Sequence, residues 1–70
     1  MNQQINWKCV YKTNSEFAAN ALKGNLEHAG LNPVVVNKRD SSFTIGYVEI
    51  HVPEDQEAEA LLLVEDLNDE

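Results

Sequence analysis

The sequence has few residues of several kinds, and each shortage excludes a class of protein. With Cys9 as the one cysteine, no disulfide can form within the chain, which excludes a small secreted domain held by disulfides. The first six residues contain neither a basic cluster nor an apolar run, so no signal peptide is predicted. The longest apolar run, residues 60–64, is far too short to span a bilayer. We therefore expect a cytoplasmic protein with no membrane partner.

Basic residues are also scarce, and the acidic ones are unevenly distributed. The chain has 12 acidic and 5 basic residues, a net charge of −7. Residues 54–70 hold eight of the acids and no base, while residues 1–53 have a net charge of +1. This distribution argues against a nucleic-acid partner, because affinity for phosphate backbones comes largely from Lys and Arg. The 43% hydrophobic content predicts a single folded domain over residues 1–70, ordered from about 6 to 67 with frayed termini.

The clearest pattern in the chain is a strand at residues 47–52. Val48, Ile50 and Val52 alternate with Tyr47, Glu49 and His51. Such period-two alternation predicts a strand with its three aliphatic side chains in the core and the other three on the opposite face.

An earlier strand and a helix are predicted from residues 7–29. Residues 7–11 are rich in aromatic and β-branched types, typical of a strand, although hydropathy alone does not say whether Val10 points inward. Thr13 and Asn14 are alternative caps for a helix over residues 15–29. The predicted inward stripe of this helix consists of Ala18, Ala21, Leu22, Leu26 and Ala29. Gly24 inside it predicts close packing on a neighbouring backbone, and Gly30 predicts a left-handed helix end with Leu31 folded back.

Prolines mark the start of the remaining two elements. Pro33 opens an edge strand at residues 34–36. Pro53 is predicted in the first turn of the second helix, followed by acidic residues that suit the positive end of the helix dipole. The inward stripe predicted for this helix is Ala60, Leu61, Val64 and Leu67, with Leu62 and Leu63 as additional apolar surface.

The predicted element order is therefore βαββα. A right-handed crossover makes the first two strands parallel, with the third inserted antiparallel between them. The fold class is α+β: a ferredoxin-like half with a three-stranded sheet in the order 1-3-2 and both helices on one face. The opposite face of the sheet and the edge of the first strand are predicted to be open.

Several segments together resemble one known family. They are residues 7–11, 13–14, 22–24, 29–31, 37–43, Gly46 and 52–53, of which Asn37-Lys38-Arg39-Asp40-Ser41-Ser42-Phe43 is the most specific. The sequence resembles a family of small bacterial domains of unknown function, described as prokaryotic signal-transducing proteins with a ferredoxin-like fold related to nitrogen-regulatory proteins. The resemblance implies the βαββα fold and a cytoplasmic regulatory or binding role, without any catalytic residue.

The first candidate site is the connection at residues 37–43. Lys38 and Arg39 lie beside hydroxyls and one acid, and backbone amides with such cations would suit a carboxylate or phosphate. The alternative is a structural turn in which the polar side chains cap their own backbone. The candidate binding residues are Asn37, Lys38, Arg39, Asp40, Ser41 and Ser42.

The second candidate is the open sheet face. If Val10 points inward, the face carries Trp7, Tyr11, Tyr47 and His51. An aromatic patch with little positive charge favours a protein partner, either a different protein or a second copy in a weak homodimer.

Cys9, Glu49 and His51 form a third possibility on the same face if the strand register brings them together. These residue types could bind zinc or activate a thiolate. No metal-ligand spacing motif supports such a site, so the sequence predicts no metal, no cofactor and no enzymatic activity. The leading hypothesis is a non-enzymatic cytoplasmic regulatory or protein-interaction module. The alternative is a sensor of a small anionic ligand that uses residues 37–43.

Overall fold

The structure, a computed structural model, describes residues 5–38 and 47–68. The elements are β1 (Trp7–Thr13), α1 (Glu16–His28), β2 (Val34–Asn37), β3 (Val48–Pro53), a 3₁₀ turn (Glu54–Gln56) and α2 (Glu57–Asn68). β3 pairs antiparallel with both β1 and β2, so the sheet order is β1-β3-β2. The predicted α+β fold class and strand order are confirmed.

The central strand β3 supplies the middle of the core. Its side chains alternate strictly between buried and half-buried, and Val48, Ile50 and Val52 are each at most 1% exposed. Because side chains of a strand point alternately to opposite faces, this burial defines an inner face of the sheet, covered by the helices, and an outer face. The predicted alternation is confirmed.

Both helices pack on the inner face, with corrections to the predicted stripes. In α1 the buried residues are Ala19, Leu22 and Leu26, spaced as one helical face. Leu22 and Leu26 are buried as predicted. Ala18 is only half-buried, and the predicted inward positions Ala21 and Ala29 are exposed, because the buried stripe is narrower than expected and includes Ala19 in place of Ala18.

In α2 the inward residues are Ala60 and Val64, with Leu63 half-buried against the core. Leu61, predicted inward, is 42% exposed. Pro53 is also displaced from its predicted place: it ends β3, and the 3₁₀ turn separates it from α2.

The ends of α1 are closed by local hydrogen bonds. Ser15, not Thr13 or Asn14, is the N-cap, and its Oγ accepts from the backbone N–H of Ala18 at 3.1 Å. At the C-terminus, Gly30 has φ 92°, and the N–H groups of Gly30 and Leu31 donate to the carbonyls of Glu27 and Leu26. This is the Schellman arrangement, and the predicted left-handed Gly30 is confirmed.

The predicted role of Gly24 is wrong. Gly24 is exposed, and a Cβ added there would meet no atom of the described residues within 4 Å. Among these residues no close backbone approach requires glycine at this position, so its cost to helix stability, about 1 kcal/mol relative to Ala, has no packing compensation there.

Strand β1 contains an irregularity that changes which side chains face outward. Cys9 is opposite His51, Tyr11 is opposite Ile50, and Val10 between them has no partner, a β-bulge. Residues directly opposite in a ladder point to the same face. Val10 and Tyr11 therefore both lie on the inner side: Val10 is 7% exposed and Tyr11 packs against the core.

Candidate functional site

The outer face of the sheet is the candidate site, because both helices lie on the other side. Its most exposed apolar members are Trp7, Val34 and Tyr47, which are 43%, 42% and 37% exposed, and Val36, opposite Glu49, is half-buried on the same face. The polar residues between them are Cys9 and Lys12 from β1 and Glu49 and His51 from β3. Within the described part of the chain, this is a mixed surface with an aromatic residue near each end and a polar cluster at its centre.

The predicted interaction face is changed in one place. The structure places Trp7, Tyr47 and His51 on the outer face, as expected. Tyr11 is not there, because the bulge at Val10 turns it to the core side. Lys12 takes the outward position opposite Glu49.

Glu49 and His51 are in direct contact at the centre of this face. The two residues are two apart on β3, and His51 Nε2 donates to Glu49 Oε1 at 2.8 Å. Both side chains are shielded from solvent, with 12% of the Glu49 side chain and 21% of the His51 side chain exposed. The shielding strengthens this charge-assisted hydrogen bond relative to one on an open surface.

Lys12 meets the same carboxylate from the neighbouring strand. Its Nζ lies 3.9 Å from Glu49 Oε2 and 4.8 Å from the centre of the Tyr47 ring. An ammonium over an aromatic face is attracted by the negative charge density of the ring. The bulge therefore builds a contact between Lys12, Glu49 and Tyr47 that a regular β1 strand would not form.

These neighbours act on the ionisation of Glu49. The hydrogen bond from His51 holds the pKa of this carboxyl below its ordinary value, and the charges of Lys38, His51 and Lys12 act in the same direction. Partial burial acts oppositely, because it disfavours the charged form. The net effect is a pKa of Glu49 below its ordinary value, which extends its ionised range to lower pH.

Cys9 completes the polar cluster from β1. Its thiol is exposed and donates a weak hydrogen bond to the Tyr11 carbonyl, with Sγ 3.5 Å from the oxygen. The possible ligand atoms of Cys9, Glu49 and His51 all lie within 4.8 Å of one another. The register that the sequence left open thus brings these three residues together.

The candidate loop at residues 37–43 is described only at its start. Asn37 ends β2, and the backbone N–H of Lys38 donates to the Tyr47 carbonyl at 2.8 Å. Arg39, Asp40, Ser41 and Ser42 lie outside the described residues. Whether this segment is a binding site or a turn stays a prediction.

One contributor to the site, Lys12, was missed by the sequence reasoning. A regular strand would put Lys8, Val10 and Lys12 on one face, which is a poor composition for a core. That conflict between Val10 and Lys12 was the available signal for a bulge between them. The sequence did not indicate which residue of β1 would be left without a partner on β3.

The fold and the site together define a small α+β domain with one covered and one open sheet face. The model of a family described as "putative prokaryotic signal transducing protein" matches residues 7–68. The chain belongs to this family, and the resemblance seen in the sequence is confirmed. No curated protein and no solved structure gives a significant match. Within the described residues, no helix combines the length and the apolar character needed to cross a bilayer.

Proposed function

We propose that this chain is a non-enzymatic, cytoplasmic regulatory module that acts by binding a protein through the outer face of its sheet. The observation that carries this proposal is the exposure of Trp7, Val34 and Tyr47 on a face that neither α1 nor α2 covers. Apolar groups gathered on one surface and mixed with polar groups are typical of protein contacts. The family description, which names signal transduction, supports a regulatory role of this kind.

The charges of the outer face favour a protein over a nucleic acid. Lys12 is within 4 Å of Glu49, so its charge is largely compensated on this surface. The chain as a whole is strongly acidic, which opposes approach to a phosphate backbone. The aromatic residues therefore have a protein surface as their best-matched partner.

A second copy of the chain is the simplest such partner. The acidic residues are concentrated in the 3₁₀ turn and α2, and α2 packs on the inner face. Two copies that meet through their outer faces keep these acidic segments on opposite sides of the dimer. A two-fold axis would let each Trp7 and Tyr47 contact the partner surface. Residual repulsion between two acidic chains predicts a weak dimer that tightens as salt screens the charges.

Sedimentation equilibrium at several salt concentrations tests this arrangement. We expect the parent to form a dimer that strengthens with salt, and Tyr47→Glu to abolish it. Leu62→Glu is the matched control, because Leu62 is 66% exposed on α2, outside the proposed contact. Equal loss of dimer in both variants would contradict a contact through the outer face. A parent that is monomeric at high micromolar concentration would exclude the homodimer and leave a different protein as the partner.

A sensor of a small anionic ligand remains the second candidate. Lys38, which directly follows β2, is exposed, and its charge acts on the Glu49 carboxyl. A thermal-shift screen against anionic metabolites tests it, because a ligand at a hundred times its Kd stabilises the fold by about 2.7 kcal/mol. Lys38→Ala should remove that shift, whereas Lys23→Ala on α1 should keep it.

A further inference from the structure

Three side chains that can bind a metal ion, those of Cys9, Glu49 and His51, lie together on the outer face. The proposed binding of a protein does not explain why they do. Cys9 lies directly opposite His51 in the ladder, and Glu49 is two residues from His51 on the same face. Their possible ligand atoms are mutually within 4.8 Å. Thiolate, imidazole and carboxylate are the side-chain ligands of zinc in proteins. We propose that Cys9, Glu49 and His51 bind one Zn²⁺ ion, or a divalent transition-metal ion of similar softness.

The present geometry is close to that of a zinc site. Zinc bonds of about 2.3 Å to sulfur and about 2.0–2.2 Å to nitrogen and oxygen place tetrahedral ligand atoms about 3.3–3.6 Å apart. The Glu49 Oε1 to His51 Nε2 separation is 2.8 Å, and no separation in the cluster exceeds 4.8 Å. Side-chain rotations that move each ligand atom by about an ångström therefore bring all three atoms to the separations of a tetrahedral zinc site. Cys9 is exposed, which leaves room for its thiol to turn.

Zinc binding exchanges existing hydrogen bonds for metal bonds. The Cys9 thiol loses its proton to solvent, its sulfur leaves the Tyr11 carbonyl, and the thiolate binds the ion. His51 Nε2 gives up its hydrogen bond to Glu49 Oε1 and loses its proton to solvent, and the neutral ring keeps its N–H at Nδ1, so Nε2 and Oε1 both become ligands. A water molecule fills the fourth position on the solvent side. Three protein ligands and one exchangeable position are the arrangement of zinc sites that act on or bind a further ligand.

Lys12 limits the affinity of the site, and the ligand types limit the kind of ion. Its Nζ is 3.9 Å from Glu49 Oε2, so its charge repels a cation bound at Oε1. Hard ions such as Mg²⁺ and Ca²⁺ prefer six or more oxygen ligands, and this cluster supplies one carboxylate. The thiolate therefore selects for zinc, and removal of the Lys12 charge should tighten binding.

Titration of the reduced full chain with Co²⁺ tests the site. Because Cys9 is the one cysteine in the chain, a thiolate-to-cobalt charge-transfer band can arise only from this residue. We expect one Co²⁺ per chain, displaced by Zn²⁺, with competition giving the zinc affinity. The acidic residues of α2 cannot produce this band, since carboxylates alone lack the sulfur-to-metal transition.

A series of variants makes the assignment specific. Cys9→Ser should abolish the band, and His51→Ala and Glu49→Gln should each weaken zinc binding by at least about tenfold. His28→Ala is the matched control, because His28 is the other histidine and is exposed on α1. It should retain the parent affinity, while Lys12→Gln should bind more tightly. Far-ultraviolet circular dichroism verifies the fold of each variant, with Cys9→Ala as a second replacement of the thiol.

Two results would overturn the proposal. One is absence of the charge-transfer band in the folded parent at excess Co²⁺. The other is equal weakening of zinc binding in His28→Ala and His51→Ala. Both measurements are made on the isolated chain, so failure of the metal site leaves the test of protein binding unaffected.

Discussion

The two faces of β3 differ in the kind of interaction that determines which side chains meet there. On the inner face, Val48, Ile50 and Val52 are fully buried aliphatic residues under the helices. On the outer face, Glu49 and His51 contact each other and residues of β1. The inner face follows from hydrophobic burial, which is non-directional and tolerates changes of neighbour. The outer face depends on the register of individual side chains, so a single extra residue in β1 determines which groups meet.

The largest expected difference between the two faces is in stability. Ile50→Ala should lower the free energy of unfolding by about 2–5 kcal/mol, because it opens a cavity at the centre of the core. Its neighbour provides the comparison: His51→Ala removes one partner of a half-buried, charge-assisted hydrogen bond and should cost less, about 1–2 kcal/mol. Urea denaturation of both variants measures the difference. Similar costs would contradict the assignment of inner and outer faces.

The bulge predicts a second difference, between two aromatic residues of the same strand. Tyr11→Ala should cost about 1–3 kcal/mol, since Tyr11 packs against the core and truncation removes buried area. Trp7→Ala should cost less, because Trp7 is 43% exposed on the outer face. Thermal unfolding of the two variants tests this order. A larger cost for Trp7→Ala would mean that the bulge does not turn Tyr11 inward.

A smaller effect, of opposite sign, is expected on the solvent side of α1. Gly24→Ala should stabilise the chain by about 0.5–1 kcal/mol, because alanine has the higher helix propensity and no atom in the described part of the chain obstructs its Cβ. The matched substitution Gly30→Ala should destabilise, since the φ of 92° disfavours any side chain. Gly24→Ala should stabilise α1 and leave the proposed zinc binding and dimerisation at the outer face unchanged, because α1 packs on the inner face.

The smallest expected effect is a pH dependence confined to the outer face. The pKa of Glu49 is lowered in the folded chain from its ordinary 4.5, so its ionised form favours folding. This contribution is fully present above about pH 4.5 and is lost as pH falls through the lower folded-state pKa. We expect Glu49→Gln to lose less stability than the parent on acidification from about pH 5 to pH 3. Parallel curves for the two proteins would contradict the role of Glu49.

The parts of the fold that were predictable are those determined by burial or backbone chemistry. The alternation from Tyr47 to Val52 identified the inner face, and Gly30 followed by Leu31 identified the end of α1. The N-cap was missed because Thr13, Asn14 and Ser15 are all good capping residues. Which of them caps is decided by where β1 ends, and Thr13 is still in that strand, accepting from the N–H of Ser15.

The candidate site was less predictable, because it depends on pairing between distant segments. Val10 and Lys12 on one face of a regular strand were a signal for a bulge in β1, but residue types did not identify the unpaired residue, so Tyr11 was placed on the wrong side and Lys12 was overlooked. The same bulge leaves Cys9 opposite His51. A period-two pattern predicts faces within one strand, but it contains no information on the register between two strands.

The position of Trp7 makes tryptophan fluorescence a probe of the outer face. Trp7 is the one tryptophan of the chain, and it lies on the outer face, two residues and about 6.6 Å along β1 from Cys9. Its fluorescence therefore reports solvent contact at that face, independently of core packing. A partner that covers the indole should shift the emission to the blue, whereas a paramagnetic ion bound at Cys9 should quench it. Events at this surface can thus be followed in the unlabelled protein, and the direction of the signal distinguishes one kind of occupant from the other.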